Sequence, residues 1–492
     1  MVARFRRVVH VLMLLLIAGP AAPRALADDP PGQFLVISDI HFDPFFDAAL
    51  FPRLVAEPAD RWGEVLRAAA PAGLNPRGTD SNDALLQGSL DDARARCPSP
   101  AFVLYPGDFM AHGWQEKYDR LAARSHLEDP DAYRAFTTKA IRYLAAEFRR
   151  RFADVPVLPT LGNDDSYCGD YLIEPAGPFL AMFAEAWAPL LGPRVDPSAF
   201  RETFGRGGYF STPLPGLKDH RLIVLNSVYC SVNYDNACGR SIRTPALDQF
   251  RWLEQALAQS RAAGESVWLL THISPGINSY NSAEEVARGG SPVTFWQPEL
   301  RSRFLQLVRE YRSTLRIAFT GHTHMDDFRV LRLDGEPVLP IKIAPAVSPI
   351  FGNNPGYQVY QFDRATGRVL NYQTYYLTNL PDAGRPAPSP VPGRWAVEYD
   401  FRAAYGLAEL SARAFARLAD TLTTDAETAR RYSTYYGVSA PPEFDEKSFP
   451  IYRCAIANVT PSEFLRCLTG SPEPKAPLPH PDRKRPAQPA AR

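Results

Sequence analysis

Hydrophobic positions along the chain gather into short β-branched and aromatic runs, each closed by a polar cluster. The runs span residues 34–38, 102–105, 155–161, 222–225, 267–270 and 317–319. Runs of this length and composition read as buried strands. Between several of them the apolar spacing turns helical. Phe136, Ala140, Tyr143, Leu144 and Phe148 share one face of a helix over 133–151. Phe250, Leu253 and Leu257 do the same over 247–263, which Gly264 ends, and a shorter helix covers 304–311. Strands that alternate with helices predict an α/β fold. Residues 358–362 and 369–377 read as a late antiparallel pair around Ala365-Thr366-Gly367.

The pattern also divides the chain. A main body over 28–380 is followed by a Pro- and Gly-rich linker over 381–394 and a mainly helical, aromatic lobe over 395–469. The tail over 470–492 holds seven prolines in 23 residues and cannot build a core, so disorder is expected there. Residues 1–10 are basic, 11–19 apolar, and Ala25-Leu26-Ala27 supplies a small-x-small cleavage pattern. The first 27 residues therefore read as a secretory signal. The apolar run is shorter than the roughly 20 residues a spanning helix needs. A secreted or periplasmic protein without a transmembrane segment is expected.

Composition fits a folded chain, with 45% hydrophobic and 22% charged residues. Lysine plus arginine balance aspartate plus glutamate at 54 each, but both ends are basic. Residues 1–27 hold four arginines and no acid, and 470–492 hold five basic against two acidic residues, so 28–469 carries seven net negative charges. Such a body is a poor sleeve for a nucleic-acid duplex. It leaves room for a small anionic substrate held by metal. Six cysteines in an exported chain suggest three disulfides. Proximity in sequence favours Cys230–Cys238 and Cys454–Cys467, leaving Cys97 with Cys168.

Five of the nine histidines follow a predicted strand. The first run leads into Asp39-Ile40-His41, the second into Gly107-Asp108 and His112, and the third into Gly162-Asn163-Asp164-Asp165. Residues 267–270 lead into His272, and 317–319 into Gly321-His322-Thr323-His324. Ligands of α/β sheets bind at such strand ends. In a strand-like Asp-x-His or His-x-His both side chains share a face. Asp39, His41, Asp108, Asn163, His272, His322 and His324 offer seven N/O donors, too many for one tetrahedral ion and suited to two. Asp108 is placed to bridge ions roughly 3.5–4 Å apart. Glycines at 107, 162 and 321 permit the turns that aim these groups.

The blocks Asp39-Ile40-His41-Phe42-Asp43-Pro44, Gly107 to His112, Thr271 to Gly276 and Gly321 to Asp326 resemble the calcineurin-like metallophosphoesterase superfamily, and within it the acid sphingomyelinase-like phosphodiesterases. The resemblance spans about residues 33–380, and the helical lobe with Cys454 and Cys467 extends it to about 468. It implies a β-sandwich flanked by helices, a dinuclear centre of divalent ions (zinc first, manganese or iron as alternatives) and phosphoester hydrolysis. By position, Asp39, His41 and His324 would hold one ion, and Asn163, His272 and His322 the other, with Asp108 between them. Where the family usually has histidine after Gly-Asn, this chain has Asp164. His112 then becomes the expected acid for the leaving alkoxide, and the phosphorus is expected to meet a metal-activated hydroxide. A small soluble phosphodiester of nucleotide or choline type is the first expectation for substrate, and lipid contact the second. Phosphatase action on polyphosphate or nucleoside polyphosphates, or a weakly active metal-binding homologue, are the alternatives. Residues 45–100 and 273–300 are expected to shape the pocket, with Phe45, Phe46, Tyr280, Phe295 and Trp296 as aromatic contacts or as core. Oligomeric state is left open.

Overall fold

The apolar runs form the parallel centres of two stacked sheets. The computed structural model describes residues 30–68, 73–125, 129–236, 238, 245–383, 391–441 and 444–470. The expected signal, half of the expected linker and nearly all of the tail lie outside them.

The strands are β1 (Gly32–Val36), β2 (Val103–Tyr105), β3 (Val157–Pro159), β4 (Phe210–Pro213), β5 (His220–Val224), β6 (Ser266–Leu270), β7 (Leu315–Thr320), β8 (Asp327–Leu333), β9 (Glu336–Ile343), β10 (Gly356–Phe362), β11 (Val369–Leu377) and β12 (Trp395–Asp400). One sheet runs β12-β11-β10-β1-β2-β3 and the other β4-β5-β6-β7-β9-β8. β1, β2 and β3 are mutually parallel, as are β5, β6, β7 and β9, and antiparallel partners border both sets. Parallel neighbours need crossovers, and helices supply them. Pro130–Arg151 links β2 to β3, Pro245–Ala262 links β5 to β6, and Pro298–Glu310 links β6 to β7. The first of these starts where the Asp129 side chain accepts from the Asp131 amide with proline in the first turn, and ends on three arginines, which suits the helix dipole.

The sheets stack through aromatic rings. Phe34 on β1 lies 4.7 Å from Tyr360 on β10, and 5.4 and 5.6 Å from Trp268 and Phe319 of the other sheet. All four are buried. Truncating one such ring costs about 3–5 kcal/mol.

The α/β expectation holds: two sheets are flanked by helices and followed by a helical C-terminal region. Four strands depart from the sequence reading: β4, β8, β9 and β12. β8 and β9 were not anticipated, although Asp334-Gly335 between them is a two-residue hairpin loop with φ of 53° and 83°. Residues 395–400 fall in the expected helical lobe but form β12, an edge strand on β11. Helices follow at Phe401–Tyr405, Ala412–Thr424, Ala426–Tyr436, Phe449–Ala457 and Pro461–Thr469. Ala412–Thr424 and Ala426–Tyr436 dock on β8, with Phe415 4.9 Å from Phe328 and the Tyr432 hydroxyl donating to Asp327 at 2.7 Å.

The cysteine pairing needs correction. Cys454–Cys467 is present, but Cys168 pairs with Cys238, and Cys97 and Cys230 are free and buried. Backbone contacts decide this. Leu172 and Asp235 form an isolated parallel bridge, and the Asp235 amide donates to Tyr171 O at 3.2 Å, which draws the two loops together. Cys230 instead ends the buried turn Ser227–Cys230, and Cys97 caps the helix Asp83–Arg96 facing Gln33.

Candidate metal centre

Five parallel strands end at one place. β1 leads to Asp39 and His41, β2 to Asp108 and His112, β3 to Asn163 and Asp164, β6 to His272, and β7 to His322 and His324. The structure gathers all seven expected ligands there. Asp39, His41, Asp108, Asn163, His272 and His324 are buried, and His322 is partly buried. Three overlapping clusters of donors form there: Asp39 with His41 and Asp108, His41 with His112 and His324, and Asp108 with His272 and His322. Asn163 joins the last of these, its Oδ1 3.0 Å from His272 Nε2. Asp108 Oδ2 lies 2.9 Å from His272 Nε2 and 3.4 Å from His41 Nε2, so it sits between the groups. His41 and His324 face each other with Nε2 atoms 3.1 Å apart.

The local backbone differs from the strand-like motifs expected. Asp39, His41, Asp108, His322 and His324 all have left-handed φ, between 45° and 75°. For non-glycine residues this costs about 1–3 kcal/mol each and collects at functional sites. The turns are held by lacing between loops: the Asp39 amide donates to Gly107 O, His41 to Asp108 O, and Phe42 to Phe109 O, at 2.8–3.1 Å. Asp165, fully buried, accepts from the amides of Gly162, Asp108 and Phe109 at 2.8–3.0 Å and so ties the β2 and β3 ends together. Of the three glycines, Gly107 has positive φ, as a sharp turn requires. Gly162 and Gly321 serve by leaving space: an added Cβ would meet Asp108 Oδ1 at 1.9 Å and Asp39 Oδ2 at 2.3 Å.

The donor set fits cations. His272 Nδ1 faces Pro106 O at 2.8 Å and His41 Nδ1 faces Met110 O at 2.9 Å. A carbonyl only accepts, so each imidazole carries its proton on Nδ1 and presents an Nε2 lone pair inward. For His272 that lone pair meets two oxygens, Asp108 Oδ2 and Asn163 Oδ1, at 2.9–3.0 Å. Acceptors so close need a cation or a proton between them. In the metal-free protein a proton serves: burial works against the His272 imidazolium, yet the Asp108 charge outweighs it and pushes the pKa up to about 9. His41 is likewise raised, burial opposing and Asp108 prevailing. His322 falls to about 3 through burial and the His272 charge, and His324 falls through burial and His41.

His112, expected as the acid and not as a ligand, lies close enough to His41 and His324 to form a donor cluster with them. Its ring stacks on His41 at 4.0 Å and its side chain is 29% exposed. Nδ1 contacts Asp80 Oδ1 at 2.9 Å, and Nε2 points toward Asp164 Oδ2 at 3.8 Å. Asp80 also accepts from Lys117 at 3.1 Å and from Ser348 at 3.2 Å, and Lys117 bonds Asp43 at 2.8 Å. Asp164 is buried, and its amide donates to Asp108 Oδ1 at 3.0 Å. Burial and then the Asp108 charge raise its pKa in the metal-free centre.

Sequence reasoning missed Asp80, Tyr171 and Phe351. Asp80 sits in the 45–100 segment, 32 residues from its partner His112, with no local signal. The Tyr171 hydroxyl is 3.3 Å from His322 Nε2, and Phe351 packs on His324. Of the aromatic residues expected at the pocket, Phe45 and Trp296 are core, Phe46 and Tyr280 are exposed, and Phe295 lies 5.4 Å from His322.

Comparison with known proteins places these features. Residues 32–326 match the family described as Calcineurin-like phosphoesterase, and 336–473 match the Acid sphingomyelin phosphodiesterase C-terminal region. Acid sphingomyelinase-like phosphodiesterase 3b of Homo sapiens is 28% identical over 473 residues, covering 91% of this chain and 93% of its own. Cyclic GMP-AMP phosphodiesterase SMPDL3A of Mus musculus is 26% identical over 474 residues, covering 93% and 97%. Sphingomyelinase phosphodiesterase D of Dictyostelium discoideum is 26% identical over 406 residues, covering 76% and 80%.

Proposed function

The chain belongs to the calcineurin-like phosphoesterase family and is a phosphoester hydrolase, and on that footing we propose that it cleaves phosphodiesters outside the cytoplasm with two divalent ions. The observation that carries this reading is the acceptor-on-acceptor contact of His272 with Asp108 and Asn163, which a cation resolves. Asp39, His41 and His324 would hold one ion and Asn163, His272 and His322 the other, with Asp108 placed between the two groups. The four imidazoles favour zinc, with manganese or iron as alternatives. When bound, the ions offset the phosphate charge and activate the attacking water.

The chain's own residues do the rest. The Pro106 and Met110 carbonyls fix the two imidazole tautomers, so the Nε2 atoms stay aimed inward. His112 donates a proton from Nε2 to the leaving alcohol, with Asp80 holding Nδ1. Asp164, beside two cations, stays ionised and cannot serve as acid. The small soluble diester is supported by relatives whose names specify diester cleavage, one of them of a cyclic dinucleotide. Export is supported by two disulfides and by the pattern of residues 1–27.

Chelated and then Zn²⁺- or Mn²⁺-reloaded protein tests the reading on bis(p-nitrophenyl) phosphate and p-nitrophenyl phosphate. Two ions per chain and faster diester than monoester cleavage are expected. Undiminished hydrolysis after chelation, or a preference for the monoester, refutes it. His112→Ala should lose rate on alkyl esters and little on nitrophenyl esters, whose leaving group needs no proton. If Asp164→Ala shows that selectivity and His112→Ala does not, the acid is misassigned.

A further inference from the structure

The two ends of the metal centre are not alike. At the His322 end, the Tyr171 hydroxyl lies 3.3 Å from Nε2 and Phe295, nearly buried, closes over the ring at 5.4 Å. At the other end stands Phe351. Its ring lies 4.6 Å from His324 and 5.4 Å from His112, at 72° and 84° to them, and 49% of the residue is exposed. A lone exposed phenylalanine is ordinary. This one is pressed against a ligand and the proton donor, on a loop fixed from both sides. The Ser348 amide donates to Asp39 O at 3.0 Å and the Ser348 hydroxyl to Asp80. The Asn353 amide group donates to Ser348 O at 3.0 Å, and Asn354 to Val438 O at 2.8 Å. The Gly78 amide reaches Pro349 O at 3.1 Å. The ring is therefore presented to solvent over the centre by a rigid support.

We propose that Phe351 is the specificity-determining contact for the leaving alcohol: its uncovered surface takes an apolar or aromatic portion of that group beside His112. The proposal rests on His112 as the donor to that alcohol. It follows that a diester with one bulky apolar and one small ester is cleaved at the bulky side. A nucleoside ring and a hydrocarbon chain both supply such a surface. Phe351 offers no ligand atom but packs on His324, so metal content is measured in each variant to separate loss of the contact from loss of an ion.

The test compares wild type, Phe351→Ala and Phe351→Leu on three diesters that share one ester and differ in leaving alcohol: methanol, octanol and a nucleoside. Binding of the free nucleoside and of octanol to metal-free protein is measured by calorimetry in parallel. Phe351→Ala should raise KM roughly ten-fold for the two large leaving groups, the scale of one base–aromatic contact, and leave the methyl ester and the metal content unchanged. It should weaken binding of the matching free alcohol to a similar extent. Phe351→Leu rescues the octyl ester alone if hydrocarbon contact dominates for that group and stacking for the nucleoside. Equal loss on all three esters, or no loss on any, overturns the proposal. If wild type hydrolyses none of the three, the hydrolase reading itself fails, a result separate from loss of selectivity.

Discussion

Replacing Gly162 with alanine adds one methyl group at the tightest point of the metal centre. The new Cβ would fall 1.9 Å from Asp108 Oδ1 and 2.4 Å from both Asp108 Cγ and its backbone nitrogen. Ordinary contact begins at about 3.4 Å, so the carboxylate or the loop must move by about 1.5 Å. Neither is free to do so. The Asp108 nitrogen donates to Asp165 at 3.0 Å, and Asp108 Oδ1 accepts from the Asp164 amide at 3.0 Å. Metal–ligand distances tolerate about 0.2 Å. A shift several times larger would leave Asp108 unable to serve both ions. Misplacement by about 1 Å costs on the order of 100-fold in rate, or about 2.7 kcal/mol of barrier. Gly162 has no positive φ, so backbone strain does not confound the change. Metal analysis should show at most one ion per chain, and kcat/KM should fall at least roughly 100-fold. Gly205→Ala, in the helix Pro197–Gly207 with nothing near its added Cβ, is the control and should keep both ions and full rate. Two ions and near-native activity in Gly162→Ala would refute the bridging placement of Asp108.

Other outcomes follow from the same geometry. Thiol titration should find two thiols in denatured, non-reduced protein and essentially none in native protein, since Cys97 and Cys230 are buried and burial, against the opposing Arg94 charge, pushes Cys97 up to about 11; a count of zero after denaturation would contradict the pairing. Metal binding should release protons, because His272 is protonated below about 9 in the metal-free centre and binds metal only as the neutral ring. Affinity should therefore rise with pH through the neutral range, and calorimetry in buffers of different ionisation enthalpy should give different apparent heats; identical heats would show that no proton leaves.

Much of the centre was legible because its signal is local. Each ligand lies within a few residues of an apolar run, and those runs became β1, β2, β3, β6 and β7. Residue type and order were enough to list candidate donors that the fold then brings together. What the sequence could not show is how the donors are aimed. Left-handed backbone at Asp39 or His41 has no signature in an Asp-x-His motif, since it is imposed by lacing to the β2 loop, more than 60 residues away. The disulfide error has the same origin. Cys230 and Cys238 are neighbours in sequence, but the Leu172–Asp235 bridge brings Cys168 to Cys238. The β8–β9 hairpin is a different case: its Asp-Gly turn is a local signal that sequence alone carries.

The C-terminal helical region also bears on the centre. His324 lies two residues before Asp326, whose amide donates to Tyr436 O at 2.9 Å. The next residue, Asp327, accepts from Tyr432 at 2.7 Å and is paired with the buried Arg329. On the opposite rim, Asn354 donates to Val438 O at 2.8 Å, three residues beyond Phe351. One helix and the turn after it thus fasten both the loop that carries His322 and His324 and the loop that carries Phe351. The Asp326 carboxylate is in turn held by Lys342, Gln358, Thr374 and Tyr399, drawn from β9, β10, β11 and β12. A buried carboxylate is costly unless every oxygen is matched, and here four donors from both sheets match it. Strained ligand turns persist only where surrounding structure over-determines them. The helical region therefore helps hold the candidate ligands in place, because without it the His324 turn would keep its strain and lose a clamp on its far side.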